Sequence, residues 1–123
     1  MARITIQNPQ NASGSNKEIF DFLQKNLGTV PNMAKVMANS PAVLQGYAQF
    51  SGALAGGTLP AKVREQIALL TAETNACTYC LSAHSALGKM AGLSQSQIDG
   101  ARRMQTLNIG GSCATVVSFV VER

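Results

Sequence analysis

Two cysteines separated by two residues, Cys77-Thr78-Tyr79-Cys80, with His84 four positions further on, are the residues of this chain whose types and spacing could do chemistry. On a helix, positions three and seven residues along return close to the starting direction, so Cys77, Cys80 and His84 project within an arc of roughly 60°. Two sulfurs so spaced can close a disulfide with little backbone movement. The first lies near a helix N-terminus, where free amides and the helix dipole favour a thiolate. His84, one turn beyond Cys80, can take or return the second thiol's proton. Helix position therefore favours activating Cys77, while the neighbouring imidazole favours Cys80.

A fourth group comes from the preceding helix. Lys62, Gln66 and Glu73 share a polar edge, which predicts a solvated Glu73. Glu65 falls instead among Ala61, Ala68, Leu69 and Ala72, an apolar stripe in which a carboxylate is costly unless it has a partner. If the two helices form an antiparallel hairpin turning near residues 74–76, residues equidistant from the turn face each other, and Glu65 lies across from His84. The expected site is thus a carboxylate, an imidazole and a dithiol.

The elements that must position these groups read as helices. Ser15-Asn16-Lys17-Glu18 has the form of a capping box, and Ile19, Phe22, Leu23 and Leu27 follow at helical spacing up to Gly28. Pro31 and Pro41 open a short helix and a longer one, with Ser40 as an N-cap. In the longer one Val43, Tyr47, Phe50 and Leu54 share a face, and Gly56-Gly57 closes it. Pro60 opens a helix to about Asn75, the next carries the cysteines to near Gly92, and Ser94 to Gln97 is a capping box for one more, through about Gln105. Residues 112–121 are rich in Val and suit a strand or a helix; with no partner strand elsewhere, helix is expected. The organisation expected is an N-terminal arm over residues 1–15 and a single all-α domain over 16–123.

Bulk properties agree with one helical core. Of the 123 residues, 46% are hydrophobic and 13% charged, with many Ala, Leu, Val, Gly and Met and no Trp. That composition favours close helix approach around small side chains. The net charge of +4 is spread, with Arg102-Arg103 the one adjacent cationic pair, so a phosphate-tracking surface is not expected and nucleic acid is not a predicted partner. No stretch reads as a secretory signal or a membrane span, and cysteines in such a chain are expected to be reduced thiols in the cytoplasm. Helices from Pro41 to Ala76 that are apolar on more than one side predict a homo-oligomer, because so short a chain cannot bury every such face alone.

The run Arg64-Glu65-Gln66, then Asn75-Ala76-Cys77-Thr78-Tyr79-Cys80 and His84, resembles the AhpD-like alkylhydroperoxidases of the carboxymuconolactone decarboxylase superfamily. The likeness is strongest from about Thr58 to Ser94. It implies an all-α, AhpD-like bundle assembling as trimers or hexamers, and a thiol-dependent peroxidase that reduces hydroperoxides. By the resemblance, Cys80 is oxidised by the peroxide, Cys77 resolves the sulfenic acid as a disulfide, and Glu65 and His84 relay protons. An external dithiol, lipoylated or thioredoxin-like, is implied as reductant, with no bound cofactor and no metal. Tyr79 stands where the best-studied AhpD proteins carry a second histidine, and many relatives continue through further helices beyond the point that Arg123 marks.

Two other readings use the same residues. One is a protein disulfide oxidoreductase without peroxide activity. The other is a non-catalytic, zinc-stabilised or redox-sensing interaction domain, in which Cys113 or a carboxylate would have to complete the ligand set. Otherwise Cys113 reads as a small buried hydrophobe, and the Met residues at 33, 37, 90 and 104 as core filler.

Overall fold

The structure, a computed structural model, describes residues 3–103. Among these residues the regular elements are all helical: α1 (Gly14–Leu27), α2 (Asn32–Met37), α3 (Pro41–Ala55), α4 (Ala61–Thr74), α5 (Thr78–Met90) and α6 (Gln95–Arg102), preceded by a short 3-10 turn at Pro9–Asn11. The all-α class is as expected, and the cysteine pair sits at the start of α5. The helix expected over 112–121, and Cys113 within it, lie outside the described residues. The helices group into two compact units, the first within Met1–Gly57 and the second within Thr58–Arg123.

The first unit packs α1, α2 and α3 around Phe20, Val30, Ala34, Ala38 and Leu44. Three details depart from the sequence pattern. The capping box expected at Ser15 does not form, because the helix begins two residues earlier with Ser13 at the N-cap, which leaves Ser15 already helical. Asn16 is used differently, its Nδ2 donating to the Ala38 carbonyl at 2.9 Å to tie α1 to the end of α2. Phe22, read as part of the apolar stripe, is 65% exposed, and Phe20 enters the core in its place. Ile19, Phe20, Phe22 and Leu23 offer two overlapping helical stripes, and tertiary packing on Ala34 and Leu44 selects the one containing Phe20. Gly28, with φ of 72°, ends α1 in the left-handed conformation and donates its N–H to the Gln24 carbonyl at 3.0 Å.

The second unit holds the dithiol. Its core is Leu69, Leu93, Ile98 and Ala101, with Leu81 against it. The α4 to α5 link is three residues long, which forces α5 to run back along α4. The link is a Schellman turn: the N–H of Ala76 donates to the Glu73 carbonyl at 3.0 Å and that of Cys77 to the Ala72 carbonyl at 2.9 Å. Such a turn needs a left-handed residue, and here Ala76 fills the position with φ of 50°. An alanine there carries a Cβ clash that glycine avoids. Ala76→Gly should therefore raise stability by about 1 kcal/mol, read as a higher denaturant midpoint at unchanged slope, and a lowered midpoint would contradict this account.

The far end of the hairpin closes by the same device. Gly92, with φ of 87°, takes the left-handed position, and the N–H of Leu93 donates to the Gly88 carbonyl at 2.8 Å. Leu93 then folds back over Gly88, where an added Cβ would lie 3.1 Å from Leu93 Cδ1 and 3.9 Å from the Cβ of Glu65. A missing side chain on α5 thus lets α4 and the α5–α6 loop close on it one turn beyond His84. The last helix follows the sequence expectation in detail. Ser94 accepts from the Gln97 amide while the Gln97 side chain accepts from the Ser94 amide, completing the capping box. The tip of α6 is tied to α4 by Arg102 Nε donating to Glu73 Oε2 at 2.7 Å, and that carboxylate raises the guanidinium's affinity for its proton further.

Candidate active site

Cys77 is the joint between two helices. Its backbone N–H closes the end of α4, and it is the N-cap residue of α5, with extended backbone angles rather than a place inside the helix. Its sulfur does what a capping oxygen usually does, accepting the Cys80 amide N–H at 3.2 Å. Cys80 is the third residue of α5, and the two sulfurs are joined in a disulfide whose Cα atoms lie 5.3 Å apart. Both cysteines are half-buried, so neither sulfur is sealed in the core. Residues 74–83 contain no charged side chain, and Asn75, Ala76, Thr78 and Tyr79 are exposed around the pair.

Glu65 and His84 meet as the hairpin argument expects. His84 Nδ1 lies 2.8 Å from Glu65 Oε2. An ionised carboxylate can only accept, so the proton on this bond belongs to Nδ1 and the ring donates it. That fixes the tautomer of a neutral imidazole: Nε2 keeps the lone pair and is the atom able to take a proton from elsewhere. The side chains of His84 and Glu65 are 33% and 20% exposed, so solvent screens the pair only in part. His84 stands one turn after Cys80 on the same helix, the spacing at which side chains are neighbours.

The four groups singled out from sequence therefore belong to one hairpin of one unit. Glu65 comes from α4, Cys77 from the joint, and Cys80 and His84 from α5. One neighbour was misplaced by pattern. Gln66, assigned to a polar edge with Lys62 and Glu73, is only 4% exposed, because it lies on the row Val63, Gln66, Leu70 that α4 buries. Glu73 is exposed and paired with Arg102 as its edge position implies. Two residues that shape the site were not read from sequence. The signal for Gly88 was an isolated glycine inside a helical pattern, which marks close packing. Ala76 gave none, since alanine has no preference for the left-handed region.

Among the described residues no group of three or more His, Cys, Asp and Glu side chains stands close enough to hold a metal ion. No helix among them is long and apolar enough to cross a membrane. No curated protein and no solved structure matches the chain. The model of the carboxymuconolactone decarboxylase family matches residues 41–121, spanning α3 to α6 and the whole dithiol hairpin, and the chain belongs to that family.

Proposed function

We propose that this protein is a thiol-dependent peroxidase of the AhpD-like kind, cycling Cys77 and Cys80 between dithiol and disulfide. The observation that carries the reading is the Cys77–Cys80 disulfide at the start of α5, with the Glu65–His84 couple one turn beyond it. In the oxidative half, His84 Nε2 takes the Cys80 proton as the sulfur attacks the terminal oxygen of a hydroperoxide. The O–O bond breaks, the alcohol leaves with a proton, and Cys80 becomes a sulfenic acid. Cys77 then attacks Cys80 Sγ, water departs, and the disulfide forms. Two electrons from an external dithiol, lipoylated or thioredoxin-like, restore the thiols. The uncharged rim of residues 74–83 lets neutral substrates approach without desolvating a charge.

Reduced protein supplied with an organic hydroperoxide and excess dithiol should consume the peroxide over many turnovers. Failure to do so with both thiols intact by counting would overturn the peroxidase reading. A Cys-capped helix start also suits disulfide exchange with a protein, and comparing rates on peroxide and on a protein disulfide separates that second activity from the first.

Self-association is part of the reading. Over its 15 residues α3 carries no charged side chain, and Val43, Tyr47, Phe50 and Leu54 all face outward, Phe50 at 64% exposure. Their spacing of four, three and four residues is that of a seam between paired helices, and a surface without charge is suited to a copy of itself. A trimer or hexamer of the 12.9 kDa chain is expected in sedimentation. A clean monomer at micromolar concentration would refute it.

A further inference from the structure

We propose that the cleft lined by Glu73, Asp99, Arg102 and Arg103 holds the zwitterionic head group of a small peptide thiol, which reduces the Cys77–Cys80 disulfide at the same end of the unit. The inference rests on the redox reading of the dithiol and gives its reductive half a small-molecule donor.

The second unit brings the cleft and the disulfide together through α4. Lys62, near the start of that helix, lies over Gly92 just before α6, and Glu73, near its end, holds Arg102 at the tip of α6, so α6 runs alongside α4 in the same direction. The Glu73 carbonyl accepts the Ala76 N–H in the Schellman turn, and Cys77 follows. Glu73 thus precedes Cys77 by four residues, or ~6 Å of helical rise. The cleft has a volume of about 220 Å³, below the range that takes a drug-sized ligand, and so suits a polar head group whose remainder lies outside.

Its charges say which head group. Two carboxylates and two guanidiniums balance, so neither a polyanion nor a polycation is favoured. Arg102 Nε donates to Glu73 Oε2 at 2.7 Å, which closes one ion pair. The other stays open among the described residues. Asp99 and Arg103, one turn apart on α6 with the acid first, have the spacing of a helical ion pair, yet Asp99 Oδ1 accepts instead from Gln95 Nε2 at 3.0 Å. An α-amino carboxylate carries both complementary charges on one carbon. Its ammonium suits Asp99 and its carboxylate suits the planar fork of Arg103, so the ligand completes the open pair by standing within it. An extended peptide unit spans ~3.5 Å, so a thiol one or two units from that head group reaches from the cleft to the disulfide. Both cysteines are half-buried, which leaves the sulfurs open to it.

In the first step the thiolate of the bound molecule attacks the protein disulfide, the S–S bond breaks, and the electron pair leaves on the second protein sulfur. A second molecule of the same thiol then attacks the ligand sulfur of the mixed disulfide, forms the small-molecule disulfide and releases the remaining protein sulfur. The two protein thiolates take up the two protons that the incoming thiols gave up. The sum is two thiols oxidised to one disulfide and one protein disulfide reduced to two thiols.

The test follows the reductive half alone. Oxidised full-length protein is mixed with glutathione, with glutathione acetylated on its α-amine, or with 2-mercaptoethanol, quenched with N-ethylmaleimide at timed intervals, and scored for reduced protein by mass. At low salt and equal thiolate concentration, glutathione should react about tenfold faster than 2-mercaptoethanol, the gain expected of two partly exposed ion pairs acting together. Acetylation should remove most of that advantage, and so should high salt. The double variant Asp99→Asn/Arg103→Ala should react with glutathione no more than about twofold faster than with 2-mercaptoethanol, while its 2-mercaptoethanol rate stays at the wild-type value and reports an intact fold. S-methylglutathione, which keeps the head group but has no thiol, should shift the backbone amide NMR signals of Asp99 and Arg103 in oxidised wild type. Glutathione no faster than 2-mercaptoethanol, an advantage that survives acetylation or the double variant, or absent shifts with S-methylglutathione overturns the assignment. A protein inert to peroxide that keeps the glutathione advantage loses the peroxidase reading and keeps the cleft. An active peroxidase without that advantage does the reverse.

Discussion

Cys80→Ser should abolish peroxide turnover, lowering the steady rate by roughly 10³-fold or more, whereas Cys77→Ser should retain a single rapid oxidation per chain and then stop. The difference follows from the order of bonds. Without Cys80 no sulfur of α5 stands one turn from His84, and a serine hydroxyl is too poor a nucleophile toward an O–O bond to replace it. Without Cys77 the first attack still proceeds, but the sulfenic acid on Cys80 has lost the thiol of the helix joint that closes on it and accumulates, or is captured by added thiol. Stopped-flow peroxide loss with thiol counting before and after measures both outcomes, and trapping with a 1,3-dione marks the sulfenic acid. Two variants with identical behaviour, or a steady rate untouched by either, would remove the dithiol from the reaction. The substitutions are also mild structurally, because serine at position 77 is itself a good N-cap and keeps the bond to the Cys80 amide.

How far the sequence discloses this site depends on whether spacing or packing sets each feature. The hairpin was legible because its determinants are local. Three residues between two helical patterns allow only an antiparallel return, and that return alone brings Glu65 opposite His84. Glu65 stood out because a carboxylate in an apolar stripe needs a partner, and the chain contains a single histidine. Features chosen by tertiary context were not legible. Phe20 and Phe22 belong to overlapping stripes of α1, and only the Ala34 and Leu44 surfaces decide which is buried. Gln66 looks polar by type yet is covered, and Ala76 adopts a left-handed angle that its side chain disfavours because the Schellman turn requires it. Cys77 was read as a member of the helix and stands instead at its cap, a difference of one position that changes its chemistry from a face-sharing thiol to an amide-stabilised one.

Breaking the Glu65–His84 couple should slow the oxidative step on the order of 10²-fold for His84→Ala, with Glu65→Gln falling between wild type and that value. His84→Ala removes the base that α5 places one turn from Cys80. Glu65→Gln leaves a side chain of the same shape on α4, but its amide can donate as well as accept, so the ring is no longer held with its proton on Nδ1 and its lone pair on Nε2. The carboxylate also ceases to stabilise the imidazolium that forms when Cys80 gives up its proton. Because Glu65 acts through His84 and not on the sulfur, the two changes should not add: the double variant should be as slow as His84→Ala alone, within about a factor of two. A fold effect would look different. Leaving the 20%-exposed carboxylate without its partner should cost on the order of 1–3 kcal/mol in His84→Ala, and that loss would appear in the denaturant midpoint. Glu65→Gln, which keeps a hydrogen-bonding group on α4, should lose less stability while still losing rate. Additive rate losses would show that Glu65 reaches the reaction by a route other than His84, and wild-type rates in both single variants would place the proton transfer elsewhere altogether.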